Sequence, residues 1–321
     1  MNNINFLEII KKGWKITWSN RYLWWFGLFL ALGGGASFNF NFPGESDFNK
    51  RISGKEETLN RFFEQYWQIV AALGIILALF AIAVFVFRIL SQAGIIKEVN
   101  KIEKNDQGSF KRGIAEGKRY FWKLFLLEII VVILIIAILI ILGVPVAFLF
   151  FLKSYLFGFL SAFLAIIIFI PLVILVSFSR KYAQFYLVLA DLGIRESLEK
   201  GYYLFRKNIL MSIIMALVFI PISMILLFAM LIILLVAAVV FVPMGFILYF
   251  ILSKVGIIIA VLFGILAFII CLAILSSVYQ VLYQASWYLF FKEIASIKEE
   301  EKAVESVEEV VEKTLPDPER A

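Results

Sequence analysis

The chain has 321 residues, 63% of them hydrophobic, with a mean hydropathy of +0.96 and a formal net charge of +6, whereas an ordinary soluble domain is about 45 to 50% apolar. A soluble globular fold is excluded. The absence of histidine and the presence of a single cysteine exclude zinc sites built from those ligands, histidine acid/base chemistry and intramolecular disulfides.

Continuous apolar runs without alternation predict α-helices rather than a barrel, because lipid leaves no partner for a bare backbone group. A run of about 20 residues crosses the hydrocarbon core. Six such spans are predicted, over residues 22–38, 67–89, 124–150, 155–178, 209–241 and 255–281. The expected fold is all-α and polytopic: a membrane domain over residues 1–291 and an acidic tail over 292–321.

The first span, YLWWFGLFLALGGGAS, resembles a signal peptide in its short apolar core. Trp24 and Trp25 at its edge fit an interfacial aromatic belt better, so it is read as a retained span. A polar loop of mixed charge follows. Pro171 predicts a kink in the fourth span, and the fifth is long enough that Pro221, Pro243 or a tilt must be accommodated. Cys271, inside the sixth, is expected to be a small core residue. In the tail, Val304, Val307 and Val311 form a narrow apolar stripe.

Lysines and arginines number nineteen in the N-terminus and the two long basic connections, against six in the alternate loops. This bias places both termini in the cytoplasm of a prokaryotic cell membrane.

The basic connections repeat. An offset of 88 lays SFKRGIAEGKRY (109–120) on SLEKGYYLFRKN (197–208), and FLEIIKKGWKITWSNRY at the N-terminus is a fainter copy. Each precedes a spanning segment and its return, which predicts three parallel repeats, about 1–90, 91–180 and 181–291, of interfacial helix plus hairpin. The apolar stripes are Phe6, Ile10, Trp14 and Thr17 in the first copy and Ile194, Leu198, Tyr202 and Phe205 in the last, as in a helix lying at the headgroups. Gly13, Gly113 and Gly201 are expected to let these elbows press against vertical helices. Lys12, Arg112, Lys118, Arg119, Lys200, Arg206 and Lys207 are candidates for anionic lipid headgroups. The returning helices end in echoes of one another, SQAGII, KYAQFY and YQASWY, which an aromatic and amide belt explains.

The elbow residues Asp191-Leu192-Gly193, Glu196-Ser197-Leu198, Gly201-Tyr202, Leu204 and Arg206-Lys207-Asn208, with GSFKRGIAEGKRYFWKL (108–124) between apolar hairpins, carry a likeness. The chain resembles the uncharacterised prokaryotic six-span membrane proteins related to the membrane domain of glycerophosphodiester phosphodiesterases. The resemblance implies the hairpin fold but no hydrolysis, since the chain carries no catalytic phosphodiesterase portion.

One carboxylate, Glu128, lies within a span and is expected to pair with Lys123, Lys118 or Arg119, or to snorkel. No GxGxxG, P-loop, HExxH or GxSxG motif occurs. The reading is therefore a non-enzymatic protein without cofactor, metal or nucleic-acid partner, with a structural or lipid-interacting role at the cytoplasmic leaflet. The alternatives are a transporter or channel for an amphiphilic substrate, and a membrane subunit that recruits a soluble partner through residues 295–321.

Overall fold

The computed structural model describes residues 4–33 and 56–314, and the side chains of residues 4–33 and 66–295. Among them are eight helices and no strand: α1 (Phe6–Ser19), α2 (Leu23–Gly33), α3 (Glu56–Glu103), α4 (Phe110–Phe151), α5 (Tyr155–Leu189), α6 (Ile194–Lys207), α7 (Ile209–Leu252) and α8 (Lys254–Thr314). Five segments, Tyr66–Glu103, Phe110–Phe151, Tyr155–Leu189, Ile209–Leu252 and Lys254–Ala295, are long and apolar enough to cross a membrane. This is a multi-pass membrane protein. The first predicted span appears as α2, whose 11 residues measure about 16 Å, short of a hydrocarbon core of about 30 Å. Residues 34–38 of that span, the polar loop up to residue 55 and the tail's valine stripe lie outside the described residues or side chains.

The helices end where the sequence offers the backbone another partner. Asn5 caps α1 through its side-chain oxygen, which accepts from the Glu8 amide at 3.2 Å. Asn20 and Asn208 close α1 and α6, each donating its side-chain amide to the carbonyl four residues back, Ile16 and Leu204, at 3.0 Å, a local bond that competes with helix continuation. The middle elbow has Tyr120 where the last has Asn208. It does not break, and residues 110–151 form one continuous helix. Two of the three elbows are thus separate helices, and the second is the foot of its span.

Burial is concentrated at one end. Between Val131 and Val176 the only buried residue is Gly158, and between Phe219 and Ser277 only Gly245, Gly256 and Ala260 are buried. The α4–α5 and α7–α8 hairpins therefore stand as apolar arms with bare flanks. Their roots, with α1, α2, α6 and the last turns of α3, enclose one core that includes Phe26, Tyr120, Tyr182, Trp287 and Phe290. Lys153 and Ser253, both at positive φ, form the tips. From Lys153 to Arg180, and from Lys254 to Gln280, is about 40 Å of helix, which matches a bilayer with its headgroups. The surplus length of the fifth predicted span is its root, where Ser212, Met215 and Phe219 are buried. All three prolines singled out from the sequence lie within continuous helices. Cys271 is exposed on α8 rather than in the core, where a thiol facing hydrocarbon behaves as a small hydrophobe.

The elbows turn their glycine side inward. α1 buries Ile9, Gly13 and Thr17, and α6 buries Ser197, Gly201, Leu204 and Phe205, while Trp14 and Tyr202 of the expected stripes are 49% and 40% exposed. Gly13 faces Ser286 of α8, Gly113 faces Phe26 of α2 and Gly94 of α3, and Gly201 faces Ser179 and Ala183 of α5. Close approach needs a face without side chains, so the bulky aromatics are left at the outer surface, where Trp and Tyr suit the lipid interface.

A Cβ at Gly201 would lie 2.6 Å from the Ser179 carbonyl oxygen and 2.7 Å from the Ala183 nitrogen, both backbone atoms that cannot move aside. Gly201→Val is expected to destabilise the protein by about 1 to 3 kcal/mol, read as a lowered unfolding midpoint in detergent. Gly74→Ala, where nothing lies within 4 Å, should leave that midpoint unchanged.

Candidate functional site

Where the roots converge they leave a cavity of about 360 Å³, lined by Leu30 of α2, Arg88 and Gln92 of α3, Ser177, Phe178, Arg180, Lys181 and Gln184 of α5, Ala216 of α7, and Gln280, Tyr283, Gln284 and Trp287 of α8. Each returning helix contributes a pair four residues apart, Arg88 and Gln92, Arg180 and Gln184, Gln280 and Gln284. Spacing of four puts both members of a pair on one helix face, and all three faces point into the same space.

The polar groups are unevenly matched. Glu128 of α4 accepts from Arg180 Nη1 at 3.0 Å and from Gln184 Nε2 at 2.8 Å, so both its oxygens are engaged. Lys181 donates to Gln284 Oε1 at 2.7 Å. Its ammonium lies 4.5 Å from the Tyr283 ring centre, 5.7 Å from that of Phe185 and 5.9 Å from that of Trp287, within range of cation–π attraction. No carboxylate pairs with it among the described residues. Arg88 makes no hydrogen bond or ion pair among them either. Arg180 Nε is a buried donor without a partner among the described residues. Three cations thus share one carboxylate, and the unfilled hydrogen-bonding capacity is mostly that of donors. The chemistry of such a lining is complementary to an oxygen-rich anion.

A second hollow borders the first. Ala216 belongs both to the cavity and to a shallow apolar groove along α7, formed with Phe219, Ile220, Ser223, Met224 and Leu227. The groove runs onto the flank of the arm that faces hydrocarbon.

The root is fastened by polar contacts around this space. Tyr182 and Ser212 share a hydrogen bond of 2.6 Å between α5 and α7, and Ser223 and Tyr279 one of 2.8 Å between α7 and α8. Buried Glu98 accepts from the Tyr22 hydroxyl at 3.0 Å and the Ser109 amide at 2.7 Å, joining α2, α3 and the start of α4. The Tyr288 hydroxyl lies 2.8 Å from Glu103, which ties α8 to α3.

The basic residues singled out from the sequence sit elsewhere, on the outer surface of the root. Lys12 pairs with Glu8 at 2.9 Å, Lys200 with Glu196 at 2.9 Å and Arg119 with Asp191 at 3.1 Å. Arg112 donates to the Gln107 carbonyl at 2.6 Å. Lys118, Arg206 and Lys207 are exposed. They are spread over α1, α4 and α6 and do not form one cluster.

Glu128 does not pair as expected. Five residues on a helix turn it about 140° from Lys123, so Lys123 and Arg119 reach Asp191 at the α5–α6 turn, while Glu128 faces α5 and takes Arg180. Hydrogen bonding from Lys123, with Arg119 beside it, holds the Asp191 carboxyl below its ordinary value. Arg88, Arg180 and Lys181 were counted in the sequence only as topology charges. Their signal was the recurrence of glutamine in the three helix-end echoes, each preceded by Arg or Gln four residues earlier.

Comparison with family models, with curated proteins and with solved structures finds no match. The likeness drawn from the elbow motifs therefore remains a proposal.

Removing one partner of a partly buried ion pair strands the other, at a cost of about 1 to 3 kcal/mol. Glu128→Ala is expected to lower stability by that order in chemical unfolding, and the double variant with Arg180→Met should recover much of it. A depressed carboxyl pKa contributes stability that is complete above the ordinary carboxylate range and lost as pH falls through the lowered value. Asp191→Asn should remove that acid-side component from a stability profile recorded between neutral and strongly acidic pH.

Proposed function

We propose that the protein is a non-enzymatic, lipid-interacting membrane protein that accommodates an amphiphile at the cytoplasmic leaflet, polar end in the root cavity and apolar end along α7. The observation that carries this reading is that a donor-rich cavity and an apolar groove adjoin at Ala216, which lines both. A solid bundle would have favoured a purely structural role. The arms here are joined only at the root.

The reading includes six crossings in three repeats. The Tyr22 hydroxyl meets Glu98 and Gly33 lies against Arg88, so α2 ascends beside the descending α3. Gly33 is level with the root whereas Tyr66, where α3 departs from helical geometry, opens its spanning segment at the opposite end, which supports a sixth crossing. Three elbow glycines, each against the returning helix of another repeat, and three pairs of polar residues at spacing four support the threefold plan. The excess of lysine and arginine puts the root in the cytoplasm. The relationship to the phosphodiesterase-associated six-span proteins is retained on the elbow motifs alone.

Movement of the amphiphile between leaflets is the second reading, favoured by the gap between the arms. The polar lining is confined to the root, so accommodation at one leaflet is preferred.

Native mass spectrometry of the detergent-purified protein tests this. Wild type should retain lipid, and Ala216→Trp, which fills the junction of cavity and groove, should lose it. Loss on neutralising Lys118, Arg119, Arg206 and Lys207, with retention in Ala216→Trp, would move the lipid contact to the elbows. No retained lipid in wild type would refute the reading.

A further inference from the structure

We infer that the root cavity is an oxyanion site selecting amphiphiles whose headgroup carries a phosphate and no ammonium. The inference rests on the amphiphile reading above and concerns what that site discriminates.

The first reason is the inventory of donors. Arg88 has its whole guanidinium uncommitted among the described residues, and Lys181 has given one of its three N–H bonds to Gln284. Both cations line the cavity, so their remaining N–H groups are the ones a ligand there can meet. A phosphate offers several strong acceptor oxygens and a compensating charge. One such group would satisfy donors that the protein leaves open.

The second reason concerns what the cavity refuses. A zwitterionic headgroup brings a cation that seeks either a carboxylate or an aromatic cage. Both are already taken. Glu128 is held by Arg180 and Gln184, and the rings of Tyr283, Phe185 and Trp287 surround the Lys181 ammonium. A headgroup ammonium would therefore enter a site with an excess of positive charge and no position for it. Specificity of this kind comes from penalising the wrong ligand as well as binding the right one.

A phosphate with these contacts could belong to a lipid or be free in the cytoplasm. The apolar groove at Ala216 favours the lipid.

The test uses the full-length protein reconstituted in vesicles of equal phosphatidylglycerol and phosphatidylcholine with identical acyl chains. The protein is then extracted, and its retained lipid is quantified by mass spectrometry. Hydrogen bonds to charged groups contribute about 1.5 to 3 kcal/mol each, so wild type should enrich phosphatidylglycerol about tenfold or more over its vesicle ratio. Arg88→Gln and Lys181→Gln should bring the ratio near unity with total lipid retained. Since Lys181→Gln alters a packed aromatic cluster, Gln280→Glu provides a second route. A carboxylate on the cavity wall should disfavour phosphatidylglycerol in a protein that elutes as wild type on gel filtration.

Retention of both lipids at the vesicle ratio by wild type, or an unchanged preference in Arg88→Gln and Gln280→Glu, would overturn the inference and leave the amphiphile reading standing. Retention of neither lipid would refute that reading itself. Inorganic phosphate alone, stabilising delipidated protein against heat as strongly as phosphatidylglycerol does and losing the effect in Arg88→Gln, would overturn the lipid as the source of the phosphate.

Discussion

The fold depends on one steric constraint, the close approach of a helix face without side chains to its neighbours. Gly13 meets Ser286 of α8, Gly113 meets Phe26 of α2 and Glu98 of α3, and Gly201 meets the backbone of α5. At such separations an added Cβ has no room, so the distance between elements is tightly fixed. The polar residues of the three returning helices are positioned by that seating. The arms need no such contact, because lipid solvates their flanks as well as another helix would.

That seating explains how a cluster of like charge is tolerated. Arg88, Arg180 and Lys181 would repel one another in a dry interior. They lie near the root ends of their helices, where a spanning helix ordinarily carries cations, and aromatic rings, amides and one carboxylate spread the charge. Tyr182 with Ser212 and Ser223 with Tyr279 use neutral hydroxyls to close the wall, so the root is joined without consuming the cavity's donors.

Five of the six predicted spans were legible because unbroken apolar runs have one physical solution in lipid. The elbow glycines were legible as packing positions, and each lies against a neighbouring helix. Trp14 and Tyr202 of the apolar stripes stay at the outer surface, the side that a helix at the headgroups turns to lipid. The continuity of α4 turned on one position, Tyr120 in place of an asparagine. Arg88 and Arg180 were hidden because a cation at the end of a span has an adequate explanation in topology, and the sequence does not say which face of a helix it occupies. The recurring glutamines were visible, and only their convergence gave them meaning. Glu128 was found, but its partner was sought along its own helix when it lay across a helix pair.

Under the proposed reading, the apolar groove along α7 gives the root cavity a side open to hydrocarbon. A site open in that direction is bathed in its potential ligand. Lipid is the solvent there, present at a fixed mole fraction, and an empty state competes poorly with occupancy by any lipid that fits. Tightness in the usual sense then counts for little. What the root can vary is a ratio, the preference for one headgroup over its neighbours, so occupancy would report the composition of the leaflet rather than the quantity of a dissolved compound.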